Sequence, residues 1–430
     1  LRVKVKEIPS ILEKIFIVAA IFFYTRSPLP LVWSTEEFWQ APVLNFIWSS
    51  IYGITVFLIL FHWRKSIAKA RKDIFILLLA GLGLISVFWS DYAAVTFSRG
   101  LTLLIITLFG IYLGSRYELK ELLCLFAWAL GIAAAISLIY GLLLPQTGID
   151  SEFHVGAWKG IYGHKNHLGR MMALCAILFL LFGQTFTKYR RVSLIGFTLS
   201  VLLVLLSTST TALVVILTLL VLQPLFKALR LHLLIIIPFF IFTLIIAGGA
   251  LAWFVSNAET VFTTLGKDIT LTGRTQLWET VFSMIQERSL LGYGYGAFWL
   301  GYDGPSAQVW LTVNWDPPHA HNGYLDTWLE LGLLGLLLFV LGYIRNIKMA
   351  VQFLRSTPTS EGLWPLVFLT FMILVNISES CILSLNGSAY WLIYTATVHY
   401  VHNRIYQRGQ SQDRRDTGSG VLKTGTCKSA

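Results

Sequence analysis

The chain has 430 residues, 56% hydrophobic and 13% charged, with a mean hydropathy of +0.68 and a net charge of +11. Soluble globular domains carry about 25% charged residues, so this composition excludes an ordinary water-soluble enzyme. The positive charge would suggest nucleic acid in a soluble domain, but here it gathers in short connections between apolar runs, so it reports membrane topology and no nucleic-acid partner is expected.

Apolar runs recur from end to end, each close to the ~20 residues that a helix needs to cross a bilayer core. The expected fold is all-α, a polytopic membrane protein of about twelve spans near residues 11–24, 44–62, 74–90, 95–114, 122–144, 168–187, 192–207, 210–226, 231–256, 322–344, 363–381 and 387–402. No small-residue cleavage pattern follows the first run, which is therefore expected to stay as a span. The stretch from Val192 to Phe226 is too long for one crossing, and "STSTT" at 207–211 divides it as a tight hairpin. Cys124, Cys175, Cys381 and Cys427 show no pairing pattern, so neither a disulfide nor a cysteine metal cluster is expected.

Lysine and arginine orient the spans. "RKSIAKARKD" after the second run holds five basic residues in ten, and every second connection after it is basic as well: "SRYELK", "TKYRR", "KALR", "RNIKMAVQFLR" and "NRIYQRGQSQDRR". By the positive-inside rule these lie in the cytoplasm, with both termini. The membrane domain then runs over 1–407, and the polar 408–430 is expected to be a disordered cytoplasmic tail. On the outer side fall 145–167 and a large loop at about 257–321.

That loop carries ten aromatic residues between Phe262 and Trp315: Phe262, Trp278, Phe282, Tyr293, Tyr295, Phe298, Trp299, Tyr302, Trp310 and Trp315. Tryptophan and tyrosine are expected at headgroup level; the remainder suit stacking against sugar rings. "TGRTQLWETVFSMIQERSLLGYGYG" has helical periodicity, with Thr272 as N-cap and Arg274 in the first turn. A cation there opposes the helix dipole, so the pairing of guanidinium and free N–H groups reads as an anion-binding corner. The alternative is a surface arginine paired with a lipid phosphate. "GYGYG" follows a helix rather than a strand and reads as a flexible turn, without a nucleotide role.

"NWDPPHAHNGYLDTWLELG" closes the loop and enters the tenth span. Asn322, Asp326 and Glu330 follow i, i+4, i+8 spacing and line one helix face, with Glu330 roughly 12 Å below Asn322. Ionisable residues at such depth face a polar cavity or a partner charge. Arg99, Lys165, Arg170 and Glu379 enter from other spans at the same side. A structural ion-pair network is the competing account. His319 and His321 sit at a helix N-terminus, where the dipole favours neutral imidazole, a competent general base. The alternatives are a zinc site completed by Asp316 and plain interfacial histidines.

"HN" followed by Gly332 and Gly335, "GRT…LW" before "LGYGYGAFW", "SVFWSDYAAVTFSRGLTLL" and "GAWKGIYGHKNHLGRMMAL" resemble the O-antigen ligase and polymerase superfamily, nearest its exopolysaccharide-polymerase branch. The likeness in layout extends from about Phe75 to Tyr400. It implies a metal-independent, cofactor-free glycosyltransferase at the outer face of a bacterial inner membrane. The implied donor is a polyprenyl-diphosphate-linked glycan, and the acceptor a glycan or lipid-linked glycan. By position, His321 is the implied catalytic histidine and Arg274 the loop arginine on the diphosphate. Arg170, Lys165 and Arg99, in that order, compete for a second cation. His319, Asn322, Asp326, Glu330, Glu379 and Trp278 complete the expected substrate-binding set. The "HKN" and "FWSD" segments favour a polymerase; a ligase is the alternative, and a transporter, from another class, is the second, against which the lack of an internal repeat stands.

Overall fold

The computed structural model describes residues 8–25, 42–62, 74–152, 154–231, 274–384 and 388–421. The helices are α1 (Ile8–Tyr24), α2 (Pro42–Phe61), α3 (Ile74–Ile85), α4 (Ala93–Arg116), α5 (Leu119–Leu143), α6 (Lys165–Thr185), α7 (Arg190–Leu206), α8 (Thr210–Ala228), α9 (Arg274–Glu287), α10 (Ser306–Val313), α11 (Gly323–Ser356), α12 (Trp364–Asn376) and α13 (Ser388–Val421). The only β pairing among the described residues is an isolated Ile149–Trp158 bridge. The expected ninth span, 231–256, lies outside the described residues but for Leu231, and Thr272, Phe262 and Cys427 lie outside them too. Every other expected span falls on a helix. Helix α13 continues to Val421, beyond the point where the sequence reading starts a disordered tail.

Seven of these helices (α2, α4–α8 and α11) are long and apolar enough to cross a membrane, and α3 and α12 are shorter apolar helices. Apolar residues surround most of these helices on all sides, which is why they hold together as a bundle rather than as surface helices. Of those seven, α6 is the most enclosed, packed by α5, α7, α8 and α12. That enclosure matters because α6 carries Arg170, which is buried in the bundle. The α7–α8 connection is the tight hairpin anticipated at "STSTT", with Thr208 at φ +51°.

The bundle has two chemically different ends. One holds Lys14–Glu121, Lys120–Glu361 and Arg404–Glu118 ion pairs and the Arg230 guanidinium capping the 357–359 carbonyls. The other gathers the 145–164 segment, the α7–α8 hairpin, the loop before α11 and the α12–α13 connection. There Trp158 N donates to the Leu206 carbonyl, Arg288 pairs with Asp91 at 2.6 Å, and Tyr92 donates to the Asp303 carbonyl.

Helix α11 is broken at Gly332, whose φ of +68° and ψ of −174° leave the helical region. The break is filled by the chain after α9. Leu333 N and Leu334 N, which would bond within the helix to the carbonyls of 329 and 330, donate instead to the Ser289 and Leu290 carbonyls. Leu329 O and Glu330 O then accept from Tyr293 N and Gly294 N. Backbone groups freed in an apolar setting must be re-paired within the protein, and here the exchange is reciprocal. "GYGYG" is therefore a fixed splice rather than the flexible turn expected. Its three glycines have φ of +70°, +98° and +70°, and its tyrosines are buried.

Candidate active site

The carboxylate of Glu379, buried at the α12–α13 turn, is the point on which the candidate residues converge. Arg170 Nη1 donates to Oε2 at 2.6 Å and Asn166 Nδ2 to Oε1 at 3.1 Å. Arg274 Nη2 lies 3.5 Å from Oε1, and its Nη1 donates to the Ser378 carbonyl at 2.8 Å. His321 Nδ1 stands 3.9 Å from Oε2, longer than a hydrogen bond, and has no hydrogen-bond partner among the described residues. Four segments distant in sequence thus deliver two guanidiniums, one carboxylate and one imidazole to a single corner. Counting formal charges, that corner is net +1 with neutral imidazole and +2 once His321 takes a proton.

Local chemistry explains how Glu379 is held. Asn376 closes the turn: its Oδ1 accepts from Cys381 N at 2.8 Å and Ile382 N at 3.0 Å, while its Nδ2 donates to the Met372 carbonyl. The N-terminus of α11 rests on this turn, with Gly323 N donating to the Glu379 carbonyl at 3.1 Å. A side chain at Gly323 would place its Cβ 2.1 Å from Asn376 Oδ1, so only glycine permits that approach.

The histidine loop is pinned from both sides. Asp326, buried, accepts from Ala320 N at 3.1 Å, from Trp299 Nε1 at 2.8 Å and from the Ser380 hydroxyl. Trp278 Nε1 donates to the Ala320 carbonyl at 2.8 Å. These contacts fix the peptide between the two histidines. His321 itself adopts φ +51°, a left-handed conformation uncommon for a residue with a Cβ and costing on the order of 1–3 kcal/mol. Its N–H donates to His319 Nδ1 at 3.1 Å, and the two rings lie 4.2 Å apart. Burial pushes the His319 imidazole well below its usual pKa; the Arg170 and Arg274 guanidiniums act in the same direction, against Glu379. Burial alone would raise the Glu379 carboxyl, but His321 and Arg170 beside it hold it well below the usual carboxylate range.

The remaining expected residues divide. Lys165 reaches Thr208 Oγ1 at 3.4 Å rather than Glu379. Arg99 donates to the Gly296 carbonyl and faces a separate cavity with Glu330. Of the three competing cations, Arg170 is the one whose guanidinium meets the Glu379 carboxylate. Asn322 spends its side chain as the N-cap of α11, accepting from Tyr324 N and Leu325 N. Most loop aromatics build the loop: Tyr293, Tyr295 and Phe298 are buried, and the Trp278, Trp299 and Trp310 indoles each donate a hydrogen bond. Tyr302 and Trp315 are exposed, with Trp315 5.9 Å from the His321 ring.

Asp316 is exposed and accepts from Tyr302 at 3.4 Å. Among the described residues, the three groups near enough to share a metal ion are instead His319, His321 and Glu379, with ligand atoms within 4.8 Å of one another. Two guanidiniums already occupy that carboxylate, and their charge opposes a divalent cation. Asn376, Ser378 and Ser380 were not singled out by sequence reasoning; the polar cluster "NISES" within an apolar run was the available signal.

Comparison with known proteins gives two matches. Residues 194–340, from α7 into α11, match the O-antigen ligase family. The chain is also similar to the exopolysaccharide production protein ExoQ of Rhizobium meliloti (strain 1021), 24% identical over 327 residues and covering 71% of each chain. These matches bear out the resemblance to the O-antigen ligase and polymerase superfamily, on its exopolysaccharide side.

Proposed function

Taking the O-antigen ligase match and the similarity to an exopolysaccharide production protein as premise, we propose that the chain is a membrane glycosyltransferase. It polymerises a polyprenyl-diphosphate-linked oligosaccharide at the outer face of the bacterial inner membrane. The observation that carries this reading is the meeting of Arg170, Arg274 and His321 around one buried carboxylate. The contrast between the two ends supports the orientation, because the lysine- and arginine-rich end suits the cytoplasm.

In the proposed step the acceptor hydroxyl oxygen attacks the anomeric carbon and gives its proton to His321. The bond from that carbon to the diphosphate oxygen breaks, and its electron pair leaves with the polyprenyl diphosphate. One direct displacement inverts the anomeric configuration. The diphosphate gains negative charge as it departs, so preorganised cations at Arg170 and Arg274 stabilise the transition state more than the ground state. Glu379 holds both guanidiniums in place, and its charge faces His321 Nδ1 as the imidazole becomes imidazolium, leaving Nε2 for the hydroxyl. No metal is required, since the leaving group's charge is met by guanidiniums.

A second reading, transfer of finished glycan to lipid A core or protein, is favoured by the description of the matched family as O-antigen ligase. Incubating the purified protein with purified lipid-linked oligosaccharide, and offering lipid A core or protein acceptors alongside, separates the two. Ladders of lengthened lipid-linked glycan are expected. Transfer to lipid A or protein without lengthening would replace polymerase by ligase.

A further inference from the structure

Trp315 stands apart from the other tryptophans of the outer loop. The Trp278, Trp299 and Trp310 indoles each donate to an oxygen of the protein, bonds that tie those rings into the loop. Among the described residues no such bond holds Trp315, which is exposed and lies 5.9 Å from the His321 ring, tilted by 37° rather than stacked on it. Lipid headgroups are the common partner of an exposed indole, but they do not account for its place beside the proposed base. His321 keeps 14% of its side chain open although its Nδ1 is buried, so the imidazole opens on the side away from Nδ1. The backbone around Trp315 is set in advance. Asn314, at φ +59°, ends α10 with its N–H on the Trp310 carbonyl at 3.0 Å, and the Trp310 indole donates to the Pro317 carbonyl at 3.0 Å. Pro317 and Pro318 have φ fixed by their own rings. Asp316, next in the chain, is exposed and accepts from Tyr302 at 3.4 Å.

We propose that Trp315 is the platform for the acceptor sugar: a pyranose ring lies with its C–H face on the indole and presents one edge hydroxyl to His321. The proposal deepens the glycosyl-transfer reading and rests on it. A flat aromatic face matches the apolar C–H face of a sugar and leaves the hydroxyls at the rim. The Asp316 carboxylate keeps acceptor capacity for those hydroxyls. Because the loop is already ordered and a tryptophan has few χ angles to fix, seating a ring there costs little further ordering. Glu379, with Arg170 and Arg274, faces Nδ1, so donor diphosphate and acceptor sugar approach the imidazole from different edges. As the acceptor oxygen bonds to the donor's anomeric carbon, its proton passes to His321, and the electron pair of the broken bond leaves with the diphosphate.

The test is transfer by the purified full chain in nanodiscs from the lipid-linked donor to labelled oligosaccharide that mild acid has freed from its lipid. Without a diphosphate this oligosaccharide can only accept. Trp315→Ala is expected to raise the acceptor KM about tenfold, as loss of one aromatic face implies. The turnover number, and the affinity for inorganic pyrophosphate by calorimetry, are expected to stay within about threefold, the pattern of lost binding that ground and transition states share. Trp315→Phe keeps a flat face and is expected to hold the acceptor KM within about threefold of wild type. Trp315→Leu keeps apolar bulk without the face and is expected to match Trp315→Ala, which also serves if the alanine variant fails to fold. An unchanged acceptor KM in Trp315→Ala, or a wild-type KM in Trp315→Leu, overturns the platform and leaves the ring a headgroup anchor. Wild type that lengthens the lipid-linked glycan but never the labelled one overturns it equally. Wild type that transfers to no acceptor at all overturns the glycosyl-transfer reading itself, and the platform with it.

Discussion

At the scale of single residues, the corner depends on fork geometry and on one buried charge. Arg170 and Arg274 present planar guanidiniums that a lysine ammonium cannot imitate. Arg170→Lys and Arg274→Lys are expected to lower turnover by about 10²-fold, the order associated with losing one preorganised donor. Arg190→Lys, at the opposite end of the bundle, is expected to leave it unchanged in the same assay. Glu379→Gln removes the carboxylate that two guanidiniums share, and breaking a buried pair in this way costs about 3–5 kcal/mol; a lowered melting temperature in detergent is the readout. His319 and Glu379 set the pH response. Both have folded-state pKa values below their unfolded values. Their contribution to stability is therefore present above the unfolded values, about 6.5 for histidine and 4.3 for glutamate, and is lost as pH falls through the folded ones. Melting temperature is expected to fall as pH drops below about 6.5, and His319→Gln is expected to flatten the upper part of that fall.

Much of the corner was legible in the sequence at this scale. His321 and Arg274 stood out because a histidine and an arginine at helix starts contradict the composition around them, and Arg170 ranked first among the competing cations. The hub could not be read. Glu379 is 209 residues from Arg170 in sequence, and nothing local says that its carboxylate meets cations from three segments. Asp326 lines a cavity beside Glu330, as its helix face predicts, but that its oxygens also accept from Ala320, Trp299 and Ser380 was not legible. Helical spacing reports a face, not the loop that folds back onto it.

At the scale of elements, the splice between the "GYGYG" segment and α11 holds the histidine loop and the cavity in one frame. A Cβ at Gly332 would stand 2.1 Å from the Leu290 carbonyl oxygen on a backbone already at φ +68°. Gly332→Ala is therefore expected to abolish recovery of folded protein, whereas Gly53→Ala, which meets nothing within 4 Å, is expected to be neutral; size-exclusion profiles distinguish them. The broken helix escaped sequence reading because a glycine within an apolar run is compatible with an unbroken span. Only the register between 289–294 and 329–334 shows that the hydrogen bonds are exchanged. The hairpin at 207–211 was legible for the opposite reason: a polar cluster cut a run too long for one crossing.

At the scale of the whole molecule, the separation of a basic end from a site-bearing end underlies the proposed orientation. Trp315 is exposed beside His321, so Trp315→Cys is expected to react with a membrane-impermeant maleimide added outside intact inner-membrane spheroplasts. Labelling only after lysis would place the corner in the cytoplasm. Activity is expected to survive EDTA, because the Arg170 and Arg274 guanidiniums beside Glu379 oppose a divalent cation there.

The central claim is that His321 takes the proton of the attacking hydroxyl. It is tested most directly by single-turnover transfer from purified polyprenyl-diphosphate oligosaccharide, comparing wild type with His321→Ala at matched melting temperature. Loss of transfer by about 10²–10⁴-fold, with pyrophosphate still bound, is the predicted result. Transfer by His321→Ala at the wild-type rate would contradict the account.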